Sequence, residues 1–394
     1  MSQQITVIGG GLAGLSAAVE CAEGGAKVRL LEAHEELGGR ARSNDGLFKA
    51  NLGPHALYQD GPLWRWLAER KLLPAHVGPP LGGAGGARFR WDGAVRRTPP
   101  LGAIPSVLRL RGREAPVELD FRSWAASHTD RRTADLLSAA AGVYTFHHDP
   151  GELSAAFVWP QTVRLFLARP PGPVRYACGG WGALVAMLER RVRELGVTVE
   201  TGRRVEELPQ GGPVIVATEH EQAARLLGEE SLSWPSGRTV CLDLGLRSRR
   251  GDPWIVSDME QAGWIGRYST SDRQIAPAGH DLIQAQMPVR PGESTDQAGL
   301  RLEQLLDASL VDWRERETWR RRQVMDARSG ALDMPGKTWR DRPAVDRGDG
   351  VFLAGDMVAA PGLLAEVSLA SAVEAGRLAL QAASETRPQL RRVA

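Results

Sequence analysis

Cysteine is scarce in this chain: Cys21, Cys178 and Cys241 are the only three in 394 residues. An odd, scattered set argues against a disulfide framework. Lysine is rare too. Lys27, Lys49, Lys71 and Lys337 stand among 49 basic side chains, and the other 45 are arginine; a GC-rich genome accounts for that bias. The formal net charge is only +2, so charge alone gives no strong pull on nucleic acid. No window approaches the uncharged apolar length that crosses a bilayer. The first residues read straight into a strand, without a signal-peptide layout. A cytoplasmic location without membrane contact is therefore expected. Metal ligands are also thin. His147 and His148 are adjacent, so on a strand they would point to opposite faces, and no Cys or acid pair completes a set. No metal is expected.

What the chain has is glycine at telling places. Ile5-Thr6-Val7-Ile8 reads as a strand, Gly9-Gly10-Gly11-Leu12-Ala13-Gly14 as a turn entering a helix, and Val28-Arg29-Leu30-Leu31-Glu32 as a second strand ending in an acid. This is the layout of a site for the ADP half of a dinucleotide. Gly9 permits the tight turn, Gly11 lets the backbone approach a pyrophosphate, and Gly14 lets the helix sit close to the strand. The helix start at Leu12 and Ala13 offers free N–H groups and a positive dipole end to phosphate. Glu32 comes 18 residues after Gly14, near the spacing for a carboxylate that accepts from ribose hydroxyls, with Ala33 beside it. A glycine-rich turn without a ligand is the competing reading, and the strand–helix–acid context argues against it.

A second glycine turn follows, Gly38-Gly39-Arg40, in Leu30-Leu31-Glu32-Ala33-His34-Glu35-Glu36-Leu37-Gly38-Gly39-Arg40-Ala41-Arg42-Ser43. A nicotinamide domain has no need of it, whereas FAD is long enough to lie over it. Near the other end, Phe352-Leu353-Ala354-Gly355-Asp356 reads as a strand ending in Gly-Asp, followed by a helix beginning near Ser368 and Leu369. Asp356 can accept from a ribityl hydroxyl, and a helix N-terminus can stabilise negative charge on a reduced flavin. These blocks together resemble the flavin amine oxidase, protoporphyrinogen oxidase and phytoene desaturase superfamily. Tyr176-Ala177-Cys178-Gly179-Gly180-Trp181-Gly182-Ala183-Leu184 resembles that family's glycine turn into a helix. Val197 to Val205 resembles the strand pair passing the adenine, which brings in Val205.

The resemblance implies an α/β fold. It comprises a Rossmann-like FAD-binding domain of the glutathione-reductase type, with a βαβ unit carrying GxGxxG, and an inserted α+β substrate domain with an antiparallel sheet. The FAD domain is expected from residues 1–60, 173–232 and 338–394, and the substrate domain from 61–172 and 233–337. Pro/Gly-rich stretches at 78–83 and 170–173 punctuate the insertion, the 78–105 region reads as a loop over the pocket mouth, and the basic tail 387–394 reads as frayed. Asp296 to Trp313 has helical spacing, with Leu300, Leu302, Leu305, Leu306 and Leu310 apolar.

Catalysis is less legible. The resemblance places Gly53, Pro54 and His55 near the flavin. His55 has an intrinsic pKa near neutrality and could act as a base, against the plainer reading of a histidine that only hydrogen-bonds backbone or cofactor. Amine oxidases of this superfamily often carry a lysine that holds water at the flavin, on a substrate-domain strand. The candidate strand Thr239–Gly245 has none, and Lys337 sits in a turn. That favours the desaturase or porphyrinogen-like branch over amine oxidation, and the expected activity is an FAD-dependent oxidoreductase that removes a hydride from a C–C or C–N bond of a small organic molecule. With no cysteine after Cys241, the FAD is expected to be non-covalent. Of 12 tryptophans several fall in the insertion. Trp159, Phe166, Trp254 and Tyr268 are the candidates for a greasy or flat small-molecule substrate. O2 or another acceptor would reoxidise the flavin, and the oligomeric state is left open. The rival readings are an amine oxidase, and a flavin isomerase or FAD-binding partner protein without net redox.

Overall fold

The structure, a computed structural model, describes residues 4–80, 86–167, 172–230 and 232–385. Parts of the two punctuating stretches (81–83 and 170–171) and the basic tail lie outside the described residues. Three strongly apolar segments distant in sequence build a parallel sheet of five strands. Their order is Val351–Leu353, Val214–Val216, Gln4–Ile8, Lys27–Leu31 and Thr198–Glu200. Such strands are covered on both faces. Helix Leu12–Glu23 and helix Ala365–Glu385 supply part of that cover, with Leu15, Val19 and Ala375 fully buried in one apolar core with Val7 and Ile215.

The first turn is held by close backbone packing. Gly9 sits at φ +103°, and a Cβ there would meet the Ala217 carbonyl oxygen at 2.5 Å. A Cβ on Gly14 would lie 1.8 Å from the Gly9 carbonyl oxygen. The helix can therefore leave the strand only because both positions lack a side chain.

Beside this layer stands a sheet of seven strands. Its order is Glu317–Ala331, Ser236–Arg247, His280–Pro288, Trp264–Arg267, Ile255–Asp258, Ala87–Trp91 and Ala94–Arg96. Its ladders are antiparallel except between Ile255–Asp258 and Ala87–Trp91. Helix Thr295–Ser309 covers it through Leu302, Leu305 and Leu306, joined by Leu310 just beyond. Leu300 departs from the expected stripe and is 61% exposed. A helical cluster around Phe121, Trp124, Leu137 and Val158 and a small antiparallel sheet of Leu57–Tyr58, Val174–Ala177 and His76–Val77 complete the described fold. Helices Phe121–Ala126 and Arg131–Ala140 start in the helical cluster at Asp120 and Asp130, whose side chains accept from backbone N–H groups one turn on.

Three expectations are corrected here. The 78–105 region is, in its described part, about half strand and helix: Ala87–Trp91, Ala94–Arg96 and the start of Ala103–Leu110. Val197–Val205 gives one strand, Thr198–Glu200, and then turns, not a strand pair. The last helix starts at Ala365, a turn before Ser368, so Ser368 and Leu369 lie inside it. No helix among the described residues is long and apolar enough to cross a membrane.

Gly14→Ala should lower the stability of the folded chain by about 1–3 kcal/mol, because the Cβ has no room. Urea unfolding monitored by tryptophan fluorescence measures this. An unchanged midpoint would show that the helix is not pinned at that point.

Candidate active site

One long cavity of about 1560 Å³ runs between the two sheets. That exceeds the roughly 300–1,000 Å³ of a site for a single drug-sized ligand. It starts at the first glycine turn. Gly11, Leu12 and Ala13 line it, and a Cβ on Gly11 would meet no protein atom within 4 Å, so that position faces open space. The helix start has no side-chain cap, leaving its first N–H groups for a ligand. Glu32 is 7% exposed. Its Oε2 accepts from the Gly10 N–H at 2.6 Å, and its Oε1 accepts from the His34 N–H at 2.9 Å. The carboxylate is thereby fixed at the cavity wall beside Ala33.

The second glycine turn docks on the first. Gly38 donates to the Gly10 carbonyl at 2.7 Å, and Gly39 and Arg40 follow in a short 3-10 turn along the cavity. Arg40 forks onto Asp356, with Nη1 to Oδ2 at 2.6 Å and Nη2 to Oδ1 at 2.9 Å. Burial pushes the Asp356 carboxyl up, but the Arg40 guanidinium outweighs it and holds the carboxyl below its usual range. The N-terminal and C-terminal segments thus meet at the cavity wall as a charged pair. Both Asp356 oxygens accept from Arg40, so a ribityl hydroxyl would have to share that carboxylate.

Further along stand Gly53, Pro54 and His55. His55 Nδ1 lies 2.7 Å from the Gly53 carbonyl, and its ring packs on Trp181 at 4.6 Å. The Nδ1 proton is therefore assigned toward that carbonyl. Nε2, which has no partner among the described residues, is left as an acceptor. Burial drives the His55 pKa down to about 4, with Arg40 adding to the effect. The ring is neutral at physiological pH, which makes it a poor proton acceptor and a good hydrogen-bond acceptor. The intrinsic near-neutral value expected from sequence does not survive folding.

The far lobe is apolar: Ile104, Val143, Phe146, Phe166, Trp254 and Trp264 contribute. All four tyrosines of the chain, Tyr58, Tyr144, Tyr176 and Tyr268, line the cavity. Burial pushes the Tyr58 phenol up to about 12 and raises the other three as well. Each is an uncharged hydroxyl. Among the described lining residues no lysine occurs, and the acids (Glu32, Glu36, Glu219, Glu221 and Asp356) belong to the nucleotide-side segments.

Most expected positions reach the cavity: Gly9, Gly11, Leu12, Ala13, Glu32, Ala33, Gly39, Arg40, Gly53, Pro54, His55, Val205, Gly355, Asp356 and Ser368, with Phe166, Trp254 and Tyr268. Three do not. Gly14 serves packing alone. Leu369 is 2% exposed in the apolar core, because the helix starts earlier than its sequence suggested. Trp159 is buried among Phe121 and Trp124, with its Nε1 donating to the Arg113 carbonyl at 3.1 Å. Sequence reasoning missed Arg203, Arg204, Gln222 and Arg225 at the Glu32 end. The Arg-Arg pair before Val205 was the one available signal. It also missed His220, a buried ring that feels the charges of Arg40 and Asp356 and has both nitrogens unpartnered.

His147 and His148 also need correction. They follow a helix rather than lying on a strand, and both rings approach Glu152.

The strand Ser236–Arg247 carries Asp243 where a lysine was sought. Asp243 is fully buried and accepts from Gln284 at 2.8 Å, Arg321 Nε at 2.8 Å and Gln323 at 2.9 Å. Gln284 and Arg321 also donate to the Asn51 carbonyl, at 3.0 and 2.5 Å. This network is the support under the His55 turn.

Comparison with known proteins agrees with this geometry. Residues 7–70 match the model of the NAD(P)-binding Rossmann-like domain. The chain carries a Rossmann-like nucleotide-binding unit. A carotenoid 3,4-desaturase of Haloarcula japonica is 52% identical over 54 residues, which are 13% of this chain and 11% of that protein. An L-amino-acid oxidase of Siganus canaliculatus is 28% identical over 117 residues, 29% of this chain and 22% of that one. The chain therefore spans only a small part of the curated relatives it matches. The crystal structure of an oxidoreductase from Methanosarcina mazei superposes with a TM-score of 0.76, covering 94% of this chain and 99% of the other at 16% identity. That likeness is one of fold. The first turn is thus of the kind that takes a flavin or nicotinamide dinucleotide.

Arg321→Met should destabilise the chain by about 3–5 kcal/mol, because it leaves the buried Asp243 charge without its cation; chemical denaturation measures this. His55 gives a pH signature. Its folded pKa lies below the unfolded value of 6.5, so the unfolded chain binds more protons between about pH 6.5 and 4. Stability should fall as pH drops through that window, by at most about 3 kcal/mol from this residue. His55→Gln should flatten that part of the stability–pH curve, and an unchanged curve would show that His55 is solvated.

Proposed function

We propose that the chain is an FAD-dependent oxidoreductase that removes hydrogen from a C–C bond of an apolar or aromatic small molecule. The carrying observation is the single cavity that joins the Rossmann turn to an apolar lobe through the His55 turn. The residues present fit a long dinucleotide. Gly11 leaves room for a pyrophosphate, Glu32 is fixed to accept from ribose hydroxyls, and Arg40 offers a guanidinium to phosphate oxygens. FAD, when bound non-covalently there, supplies the hydride-accepting ring. The chain's own residues bind and orient. The Arg40–Asp356 pair must loosen for Arg40 to reach phosphate, and Asp356 is then free to accept from the cofactor. His55 is neutral, and its Nε2 would accept a hydrogen bond and relay to solvent the proton released as the second hydrogen leaves carbon. Phe166, Trp254, Trp264 and the tyrosines exclude water and hold a flat or greasy substrate by area and by phenol hydrogen bonds.

The apolar lobe supports carbon–carbon over carbon–nitrogen oxidation. None of its described residues named above is a carboxylate able to pair with an ammonium, and no lysine lines it. O2 or another small acceptor completes the cycle.

The experiment is anaerobic addition of candidate substrates to the purified yellow protein. Loss of visible absorption with polyene or aromatic hydrocarbon substrates, and none with primary amines, is the expected result. Bleaching by amines alone would assign the amine oxidase reading. Activity only after prior chemical reduction would assign an isomerase. A colourless protein that cannot be reconstituted with FAD would end the proposal. Glu32→Ala should lower FAD retention in the same preparation.

A further inference from the structure

The turn after helix Gly142–Thr145 brings together three groups that the cavity does not use. Phe146 caps that helix in the left-handed region, at φ +56° and ψ +21°. His147 and His148 follow at once, their ring centroids 4.4 Å apart and their planes at 62°. A short 3-10 turn, Pro150–Glu152, then returns Glu152 to the same place. Asp149 fixes that return: it accepts from the Gly151 N–H at 3.0 Å and forks with Arg122 at 2.6 and 2.9 Å. His147 Nε2 lies 2.6 Å from Glu152 Oε1, and His148 Nε2 lies 3.8 Å from the same oxygen. One ligand atom from each residue falls within 4.8 Å of the other two.

We propose that His147, His148 and Glu152 bind one divalent transition-metal ion, zinc in the first instance, at a site separate from the nucleotide cavity. Two imidazoles and a carboxylate are a ligand set that zinc takes with water in the fourth position. Bonds of about 2.0–2.2 Å in tetrahedral geometry put donor atoms roughly 3.3 Å apart. The His147–Glu152 contact must open and the His148–Glu152 contact must close, each by less than about 1 Å on that geometry. A bare histidine–carboxylate hydrogen bond accounts for His147 but not for the approach of His148 to the same oxygen. The side chains are 16%, 21% and 43% exposed, which leaves an entry path and room for the water. Arg122 is already taken up by Asp135 and Asp149. Arg290 lines the same surface pocket as His148, so its charge opposes the ion. Phe146 lines the cavity, so an ion on the next two residues would anchor that wall. The site stands whether or not the cavity takes a flavin.

The test uses the full chain without a histidine tag, stripped with EDTA and desalted. Calorimetric titration with Zn2+ should show one saturable ion per chain, and Co2+ should give ligand-field absorption bands that Zn2+ abolishes. His148→Ala and Glu152→Gln should each weaken binding by about tenfold or more, by the scale of coordination-shell losses. Arg290→Gln should tighten it by about two- to fivefold, the range of one exposed charge. Absence of saturable binding to the wild-type chain overturns the proposal, as does unchanged affinity in both ligand variants. If His148→Ala is insoluble, the Glu152→Gln and Arg290→Gln shifts decide, and their absence overturns it equally.

Discussion

Asn51 is the residue on which the architecture turns. Its side-chain oxygen accepts from the Trp181 N–H and the Ser43 hydroxyl, both at 2.8 Å. Its carbonyl accepts from Gln284 and Arg321. Ser43 closes the second glycine turn, Trp181 starts the helix after the middle glycine turn, and Gln284 and Arg321 belong to the seven-stranded sheet. One residue therefore ties four stretches of chain together beside the cavity, next to the lining residues Leu52 and Gly53. The His55 turn begins two residues later and inherits its position from this knot. Burying so many polar groups is tolerable because most of them find a partner here; Gln284 Oε1 and Trp181 Nε1 are the buried atoms of this knot that do not.

The same logic explains the buried Asp243. A carboxylate with no exposed surface is costly unless a cation and donors surround it. Arg321, Gln284 and Gln323 do so, and two of these also hold Asn51. The cost of burying one charge thus goes into rigidity at the turn facing the cavity. Arg40 and Asp356 form a second charged joint, at the cavity wall and between the two ends of the chain. The two joints differ in burial. Asp243 is sealed from solvent, while Arg40 keeps a third of its side chain exposed and can move toward a ligand.

Legibility followed how local the physics was. The first turn could be read residue by residue, because Gly9, Gly11 and Gly14 act on neighbours a few positions away and Glu32 closes the same unit. The strand expected to end in Gly355-Asp356 stops at Leu353, and those two residues reach the cavity in the turn that follows it. The start of the last helix was misplaced by one turn, since Met357–Leu364 carries no capping side chain that marks an entry. Trp159 failed differently. Its alternation of apolar neighbours suits a core helix and a pocket wall equally, and only packing against Phe121 and Trp124 separates them. His147 and His148 failed because their geometry depends on one left-handed residue, Phe146, a conformation that a bulky aromatic side chain seldom adopts.

The substrate end was the least legible for a related reason. Tryptophan was the conspicuous aromatic, yet tyrosine is the one that collects in the cavity. Trp66, Trp124, Trp159 and Trp313 bury their large apolar rings in cores that need volume. A phenol placed in such a core must find a hydrogen-bond partner or lose its hydration. A cavity wall relaxes that demand, because solvent or a ligand can meet the hydroxyl. Tyr144 satisfies its hydroxyl on Thr162 and the Val158 carbonyl, whereas Tyr176 and Tyr268 pack edge to face at 5.2 Å. A chain with only four tyrosines that places all of them on one cavity has concentrated its phenol hydroxyls along that wall.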